Sequence, residues 1–481
     1  MINESKINVI EKNPLYLEYD NNTVIIIVPE KPLWLKTSTT GKWIYEQIKS
    51  SHLNINELIR LAAKNYSLPK DALKDSITNL ICQLEENNFI KFSSDTSLTY
   101  KDDNNLNQVK QKKLELKNDE LPKLGLINVW FNILSTCNLS CDHCFLHKEK
   151  KSKPISFEDA KFIISNLVKL KPKRLNISGG EPLLHPNLLE ILQYAKDSFD
   201  WEIVLVTNGQ TENEELIKSI SGYLSYIQIS IDGINSSTND RIRGTGTFKR
   251  AVNIFKILHR MNSSLKKCIS FTPHPENVSQ IPDLFKFAIS LDADLIYITK
   301  PKIPSNNNND RFDSSEFLSL HFREKVYSQY DKLIKIYMEL TKANTNSTNI
   351  KMPIVDPFFD PSLNLLNPIK RACCGAGGSI LFINELGECY PCAALNRPEL
   401  SLGNLFNTSL EEIYYNNSIA DFRQSIHVDN IDECQECCFK YICAGDCRAL
   451  SYEIKDKTPY CELIKQRYHK LLKNVYLPKQ L

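Results

Sequence analysis

Three cysteines lie close together in the chain and could bind a metal centre: Cys137, Cys141 and Cys144, at C-x3-C-x2-C spacing. Cysteine thiolates bind both zinc and iron–sulfur clusters. A cubane iron–sulfur cluster normally takes four cysteines, so three local ones would leave one iron open to a small molecule. A zinc ion would need a further ligand, which His143 or His147 could supply. The spacing alone leaves both centres open.

The position of this cysteine loop is set by the apolar run L-I-N-V-W-F-N-I at residues 126–133, which predicts a buried strand. Strand and helix patterns then alternate in six units, too few for an eight-stranded barrel. Such alternation predicts a parallel sheet with helices outside it, and α/β folds build active sites at the C-terminal strand ends. The predicted strands are 126–133, 173–178, 202–206, 225–231, 267–272 and 294–299, and the predicted helices are 156–170, 187–198, 213–220, 248–260 and 278–290.

Polar turns follow the next three predicted strands, with S-G-G-E-P at residues 178–182, T-N-G at 207–209 and S-I-D-G at 230–233. Glycine allows a backbone to approach a ligand without a Cβ in the way. Glu181 adds a carboxylate that could hold an ammonium group. Taken singly, each of these runs is also compatible with ordinary turn chemistry.

The cysteine loop, followed one strand–helix unit later by Gly-Gly-Glu-Pro, resembles the radical S-adenosylmethionine (SAM) enzymes. This resemblance implies an α/β fold, the partial (βα)6 barrel, whose wide mouth can admit a peptide. It also implies a SAM-binding 4Fe-4S cluster on the three loop cysteines, where the radical is generated without a catalytic side chain. The residues that the resemblance assigns to SAM are Gly179, Gly180, Glu181, Asn208, Ser230, Asp232 and Arg243.

A second group of cysteines near the C-terminus follows the pattern C-x2-C-x5-C-x3-C from Cys434, with Gly387-x4-Cys392 upstream. This pattern resembles the SPASM domains, which typically carry two auxiliary 4Fe-4S clusters. The resemblance implies one cluster on Cys434, Cys437, Cys443 and Cys461, and another on Cys374, Cys392 and Cys447. The fourth ligand of that other cluster is open between Cys373 and Cys389, and Cys389 is included among the predicted ligands. Two structural zinc ions would satisfy the same spacing.

The remaining cysteines include Cys82 and Cys268, which lie in apolar helix and strand patterns and are predicted to be buried structural thiols. The N-terminal region predicts a β-hairpin over residues 14–28, three helices at 41–50, 55–65 and 70–86, and a strand at 88–92. Such a unit is winged-helix-like, so a regulatory or DNA-binding module is an alternative, although a basic stripe is missing. The pattern resembles PqqD-like leader-peptide-recognition domains, which bind a leader as an added strand.

The 481 residues, 42% of them hydrophobic, are enough for two to four globular domains. The net charge of +2, with both signs mixed, gives no reason to expect nucleic acid or a membrane as a partner. The absence of a signal-peptide pattern and of a long apolar run predicts a cytoplasmic protein, in which cysteines are metal ligands more often than disulfides. The predicted domains are a leader-recognition domain at 1–95, a linker at 96–122, the barrel at 123–310, a bridging region at 311–372 and the SPASM domain at 373–481.

The run from Cys374 to Ala393, followed by S-L-G-N-L-F, is similar to thioether-forming peptide maturases of the subtilosin type. This likeness implies an enzyme that links a cysteine sulfur to an α-carbon in a ribosomally made precursor peptide with a leader. The implied cofactors are SAM and three 4Fe-4S clusters, and the implied electron donor is a flavodoxin or ferredoxin. Alternatives are carbon–carbon crosslinking, epimerisation or side-chain oxidation of a peptide, and a zinc-containing winged-helix regulator.

Overall fold

The computed structural model describes most of the chain. The described residues are 5–9, 14–20, 23–28, 33–86, 89–93, 125–144, 153–261, 264–300, 316, 319–347, 354–355, 372–451 and 458–474. The predicted linker and His147 lie outside them.

The N-terminal region contains two small antiparallel sheets and three helices. Its strands are β1 (Lys6–Val9), β2 (Leu15–Asp20), β3 (Thr23–Val28), β4 (Leu33–Thr37) and β5 (Ile90–Ser93). Its helices are α1 (Thr39–Ser51), α2 (Ile55–Tyr66) and α3 (Lys70–Glu86). The sheets have the orders β2-β3-β4 and β1-β5. The predicted hairpin, helices and final strand are confirmed, whereas β1 and β4 were missed.

Strand β3 contributes to two different cores because its side chains alternate between the faces of the sheet. Ile26 and Val28 pack with residues of α1, α2 and α3. Ile25 and Ile27 pack instead with C-terminal residues that include Phe439. All four β3 side chains are at most 1% exposed. The N-terminal sheet therefore lies between its own helices and the C-terminal domain.

The central sheet contains six parallel strands in chain order, as predicted. They are β6 (Asn128–Asn132), β7 (Arg174–Ser178), β8 (Glu202–Thr207), β9 (Tyr226–Ser230), β10 (Lys266–Phe271) and β11 (Leu295–Ile298). The helices between them are α4 (Phe157–Lys169), α5 (Leu188–Ser198), α6 (Glu214–Ser221), α7 (Ser236–Arg243), α8 (Thr247–Arg260) and α9 (Leu284–Ser290). The short helix α7 was not predicted.

The two faces of this sheet differ in polarity. Alternate residues such as Phe131 and Ile229 are fully buried in the main hydrophobic core. The residues between them include polar side chains: Asn176 donates to the Val129 carbonyl at 2.9 Å, and Gln228 donates to Ser270 Oγ at 3.1 Å. Parallel strands covered by helices on both faces are usually apolar throughout. The polar face therefore marks the side on which a ligand can be held.

Strands from the C-terminal half extend this sheet at both edges. Strand β12 (Ile354–Val355) pairs in parallel with β11, and β13 (Ile380–Ile383) pairs in parallel with β6. Strands β14 (Glu388–Tyr390) and β15 (Gly403–Asn404) continue it in antiparallel fashion. The strand that carries the cysteine loop is thus hydrogen-bonded directly to the first strand of the C-terminal domain.

The remaining helices are a long bridging helix and five shorter helices in the C-terminal domain. The bridging helix is α10 (Leu320–Ser347). The C-terminal helices are α11 (Leu410–Tyr415), α12 (Asn417–Ser425), α13 (Lys440–Cys443), α14 (Arg448–Ser451) and α15 (Cys461–Asn474). The bridging helix predicted near residues 314–342 corresponds to α10. Within the described part of the chain, no helix has the length and apolar character needed to cross a membrane.

The two cores that share β3 can be separated by mutation. Truncation of a buried isoleucine to alanine costs about 2–5 kcal/mol. We expect the double variant Ile25→Ala, Ile27→Ala to increase hydrogen exchange of α15 amides at least tenfold while α1 and α2 keep their protection. Ile26→Ala should do the reverse, and hydrogen–deuterium exchange would measure both. Equal effects of the two variants on α15 would contradict this division.

Candidate functional site

The backbone of the cysteine loop lies directly against the glycine turn that follows β7. Gly180 N donates to the Leu134 carbonyl at 2.8 Å, and Glu181 N donates to the Thr136 carbonyl at 2.9 Å. A Cβ at Gly179 would lie 2.3 Å from the Leu134 oxygen, and a Cβ at Gly180 would lie 2.1 Å from the Thr136 oxygen. The structure thus supplies a reason for both glycines that the sequence did not: they admit the cysteine loop itself.

Glu181 joins the ends of β7 and β8. Its side chain is 1% exposed and accepts hydrogen bonds from Thr207 Oγ1 at 2.6 Å, from Asn208 N at 2.7 Å and from Leu183 N at 3.0 Å. Burial raises the pKa of this carboxyl group, and the three hydrogen bonds oppose that rise. A carboxylate offers about four acceptor positions, so a SAM ammonium group is compatible with these contacts.

Asn208, also predicted to contact SAM, faces the cysteine loop. Its Nδ2 donates to Asn138 Oδ1 at 2.9 Å and lies 3.6 Å from Cys137 Sγ. Asn138 Nδ2 in turn lies 3.4 Å from the Gln210 carbonyl. The turn after β8 therefore holds the first part of the loop. The role of Asn138 was missed, and its position directly after Cys137 was the available signal.

Asp232 and Arg243 form an ion pair behind the cysteine loop. Asp232 Oδ2 lies 2.5 Å from Arg243 Nε and 3.4 Å from His143 Nε2, and Oδ1 accepts from Thr272 N at 2.7 Å. Asp232 is 0% exposed and Arg243 is 8% exposed. Arg243 Nη1 also lies 3.9 Å from Cys141 Sγ. The contact between Asp232 and SAM stays a prediction, and the carboxylate already binds Arg243 and the Thr272 N–H.

The three loop thiols lie within electrostatic reach of one another at the C-terminal end of the sheet. Burial raises the pKa of Cys141 to about 12; Arg243 opposes this rise, and Asp232, Cys144 and Cys137 add to it. Cys137 is exposed, and Cys141 and Cys144 are partly buried. Ser230, which ends β9, is partly exposed on the polar face. One exposed thiol and two sheltered ones fit a cluster that is held by the loop and is open on one side.

Four C-terminal cysteines line a single cavity: Cys434, Cys437, Cys443 and Cys461. These are the four that the resemblance assigned to one auxiliary cluster. Among the described residues, no three His, Cys, Asp or Glu side chains are placed to hold a single metal ion. The thiols surround a space, as ligands of a polynuclear cluster do.

The other auxiliary cysteines surround a separate small core. Cys373, Cys374, Cys392 and Cys447 all pack against it. Cys389 does not: it is fully buried in the main hydrophobic core of the sheet. The inclusion of Cys389 among the predicted ligands therefore disagrees with its position in the structure. Of the leftover thiols, Cys268 is buried as predicted, whereas Cys82 is exposed, contrary to the prediction.

A partly buried ion pair, not predicted from the sequence, joins the central sheet to the C-terminal domain. Lys300 follows β11, and its Nζ lies 2.5 Å from Asp446 Oδ1. Asp446 has a left-handed φ of 59° and directly precedes Cys447. No local sequence pattern indicates this pair, because its partners are separated by 146 residues.

Comparison with known families agrees with these observations. Residues 131–288 match the radical SAM superfamily, and residues 373–438 match SPASM, an iron–sulfur cluster-binding domain. The chain therefore contains a radical SAM domain followed by a SPASM domain. The predicted family and the predicted radical SAM and SPASM folds are thus confirmed, whereas the winged-helix-like N-terminal domain stays a prediction. The two domains imply SAM and iron–sulfur clusters as cofactors.

Several known proteins are similar to this enzyme. It is 27% identical over 346 residues to the AdoMet-dependent heme synthase of Methanosarcina barkeri, which covers 69% of this chain and 95% of that protein. It is 26% identical over 326 residues to the subtilosin biosynthesis protein AlbA of Bacillus subtilis, covering 66% of each. The structure of Streptococcus suis SuiB bound to its precursor peptide SuiA matches 94% of this chain and 98% of that one, with a TM-score of 0.54 and 16% identity.

The carboxylate of Glu181 provides a test of how the loop is held. In Glu181→Gln an amide N–H would face one of the three donors, and an unsatisfied buried donor costs about 1–3 kcal/mol. We expect the iron bound at the loop to fall and SAM cleavage to slow by about tenfold or more. The measurements are iron content and the rate of 5′-deoxyadenosine formation with dithionite.

Glu202→Gln is the matched control, because Glu202 pairs with Arg174 at the opposite end of β7 and β8 and is 45% exposed. Its iron content and cleavage rate should equal those of the wild type. Unchanged values in Glu181→Gln would show that the cysteine loop does not depend on this carboxylate.

Proposed function

We propose that this enzyme modifies a ribosomally made precursor peptide by joining cysteine sulfur to an α-carbon. The observation that carries the proposal is that the chain holds three cysteine groups: the loop after β6, a group next to the core of Ala376, and a group that lines one cavity. Strand β13, which follows Cys374 in the chain, pairs with β6 and so connects the first two groups. AlbA is named for the biosynthesis of subtilosin, an antilisterial bacteriocin, and SuiB was solved with a precursor peptide. Both names support a peptide substrate.

The bound cofactors would supply the radical chemistry: Cys137, Cys141 and Cys144 would hold a 4Fe-4S cluster, and SAM bound there would allow a hydrogen atom to be removed from the substrate. The contribution of the chain is to hold this centre in place. Asn208 and Arg243 contact the loop from two sides, and Glu181 ties the neighbouring turns together. The proposed SAM contacts are Gly179, Gly180, Glu181, Asn208 and Ser230, while Asp232 and Arg243 position the cysteine loop.

Thioether formation also needs an electron acceptor. One hydrogen leaves as the atom taken by the radical, and the thiol hydrogen leaves as a proton together with one electron. We assign that electron to one of two auxiliary 4Fe-4S clusters in the C-terminal domain. With the loop cluster, these would make three clusters per chain. A flavodoxin or ferredoxin would provide the electron that starts the reaction.

The N-terminal region would recognise the leader of the peptide. Its sheet β2-β3-β4 has two edge strands, and an extended peptide can add a strand to such an edge. The opposite faces of β3 pack on two different cores, so a leader bound here would be held at a fixed position against the C-terminal domain.

The product distinguishes this proposal from other radical chemistry. We expect the peptide to lose two hydrogens in mass for each bond and to lose one alkylatable thiol for each bond. The measurement is mass spectrometry of the reduced product before and after iodoacetamide labelling. A lighter product that keeps every thiol would indicate carbon–carbon crosslinking, and deuterium uptake in heavy water at unchanged mass would indicate epimerisation. SAM turnover that needs a tetrapyrrole, and not a peptide, would contradict a peptide substrate.

Deletion of residues 1–95 tests the leader-binding role. The truncated enzyme should still cleave SAM but should no longer modify a precursor that carries its leader. Iron content is the control, because the deletion also exposes the C-terminal residues that contact Ile25 and Ile27. Modification of the full precursor at the wild-type rate would refute this role.

A further inference from the structure

We infer that Cys373, and not Cys389, completes the auxiliary cluster of Cys374, Cys392 and Cys447, and that this cluster therefore has no iron free to bind a peptide thiol. The inference rests on the proposed function, since it concerns the clusters that the function requires. It deepens that function by deciding between two roles for the cluster, namely thiol binding and electron acceptance.

Cys389 is held away from the other thiols by the strand in which it lies. In β14 it pairs with Ile383 on one side and with Gly403 on the other. Its side chain points into the main core, where it lies with Leu381 and Ile383. Burial raises its pKa, and Glu388 is the neighbouring charge that adds to this effect. For Cys389 to bind the cluster, β14 would have to rotate so that its two faces exchange places. That rotation would move Tyr390 into the core.

Cys373 is brought to the other thiols by the glycine-rich turn that follows it. Gly375 and Gly377 have φ values of +90° and +67°, so the chain reverses immediately after Cys374. Gly377 N then donates to the Pro391 carbonyl at 2.8 Å, and Pro391 directly precedes Cys392. Arg423 Nε donates to the Gly377 carbonyl at 2.6 Å from helix α12. These bonds place the Cys373–Cys374 pair beside Cys392.

The fourth thiol, Cys447, enters from the left-handed turn between α13 and α14. Ala444, Gly445 and Asp446 all have positive φ values. Cys443 lines the cavity of Cys434, whereas Cys447 also packs against the core of Cys374. Burial raises the pKa of Cys374 to about 12, and Cys373, Cys447 and Cys392 add to that rise in this order. The four thiols are therefore electrostatic neighbours around one core.

Four protein thiolates satisfy all the irons of a cubane cluster. A substrate cysteine would then have no coordination position on this cluster. The cluster would serve as an acceptor for the electron released in thioether formation, and the substrate thiolate would react without being bound to iron.

The test uses the full chain with Cys137, Cys141 and Cys144 changed to alanine, so that only the auxiliary clusters remain. In this parent, about eight irons per chain are expected, with an EPR spectrum after dithionite reduction that does not change on adding β-mercaptoethanol. Cys373→Ala should lose up to half of the iron or change the spectrum, and added thiol should then shift that spectrum. Cys373→Ser, which keeps a weak ligand, should restore part of the iron.

Two controls make the test specific. Cys438→Ala removes a thiol that directly follows Cys437, as Cys374 directly follows Cys373, and it should match the parent. Cys389→Ala and Cys389→Val should both keep the parent iron content and spectrum, because an apolar side chain suits the core. Loss of cluster in both Cys389 variants, with Cys373→Ala unchanged, would overturn the assignment.

Two further outcomes of this test would each contradict a different claim. A parent spectrum that shifts with added thiol would overturn the closed coordination. A parent that binds no iron would refute the auxiliary clusters and the proposed function together.

Discussion

The close approach of two backbone segments, Leu134–Thr136 and Gly179–Glu181, is the constraint on which the rest of the site depends. Any side chain at Gly179 or Gly180 would collide with the cysteine-loop carbonyls. The carboxylate of Glu181 accepts hydrogen bonds from Thr207 and Asn208, so it also fixes the end of β8 relative to these two segments. Because a parallel sheet brings the C-terminal ends of its strands to one edge, three turns from distant parts of the sequence meet around Cys137.

The same sheet also connects the radical centre to the auxiliary cysteines. Strand β13 pairs with β6 in register from Ile380 opposite Asn128 to Ile383 opposite Phe131. Backbone hydrogen bonds of this kind make the two cysteine regions parts of one body, and the partly buried Lys300–Asp446 pair adds a second connection. Loss of Lys300 would be costly, since the Asp446 carboxylate, 2% exposed, would lose its counter-charge. The distance between the two cysteine regions is therefore set by the sheet.

Side chains alternate between the two faces of a strand, and this alternation explains both the packing of β3 and the position of Cys389 in β14. In β3 it divides Ile25 and Ile27 from Ile26 and Val28, so that one strand contributes to the core of the N-terminal helices and to the C-terminal core. In β14 it directs Cys389 into the main core, although the residue stands only three positions before Cys392. Proximity in sequence is a poor guide to ligand sets wherever a strand sends neighbouring side chains to opposite faces.

Local patterns in the sequence determined the six strand–helix units, the cysteine loop at a strand end and the division into radical SAM and SPASM regions. These features depend on spacing and periodicity, which are properties of short segments. Tertiary structure alone decided the partners of Asp232, Arg243 and Asn208, because their contacts join turns that follow different strands. It also placed Cys373 beside Cys374, Cys392 and Cys447 and placed Cys389 in the main core, whereas nothing in the sequence separated the two. The physical reason is that a side chain's neighbours depend on which face of the sheet it occupies and on which distant segment covers that face.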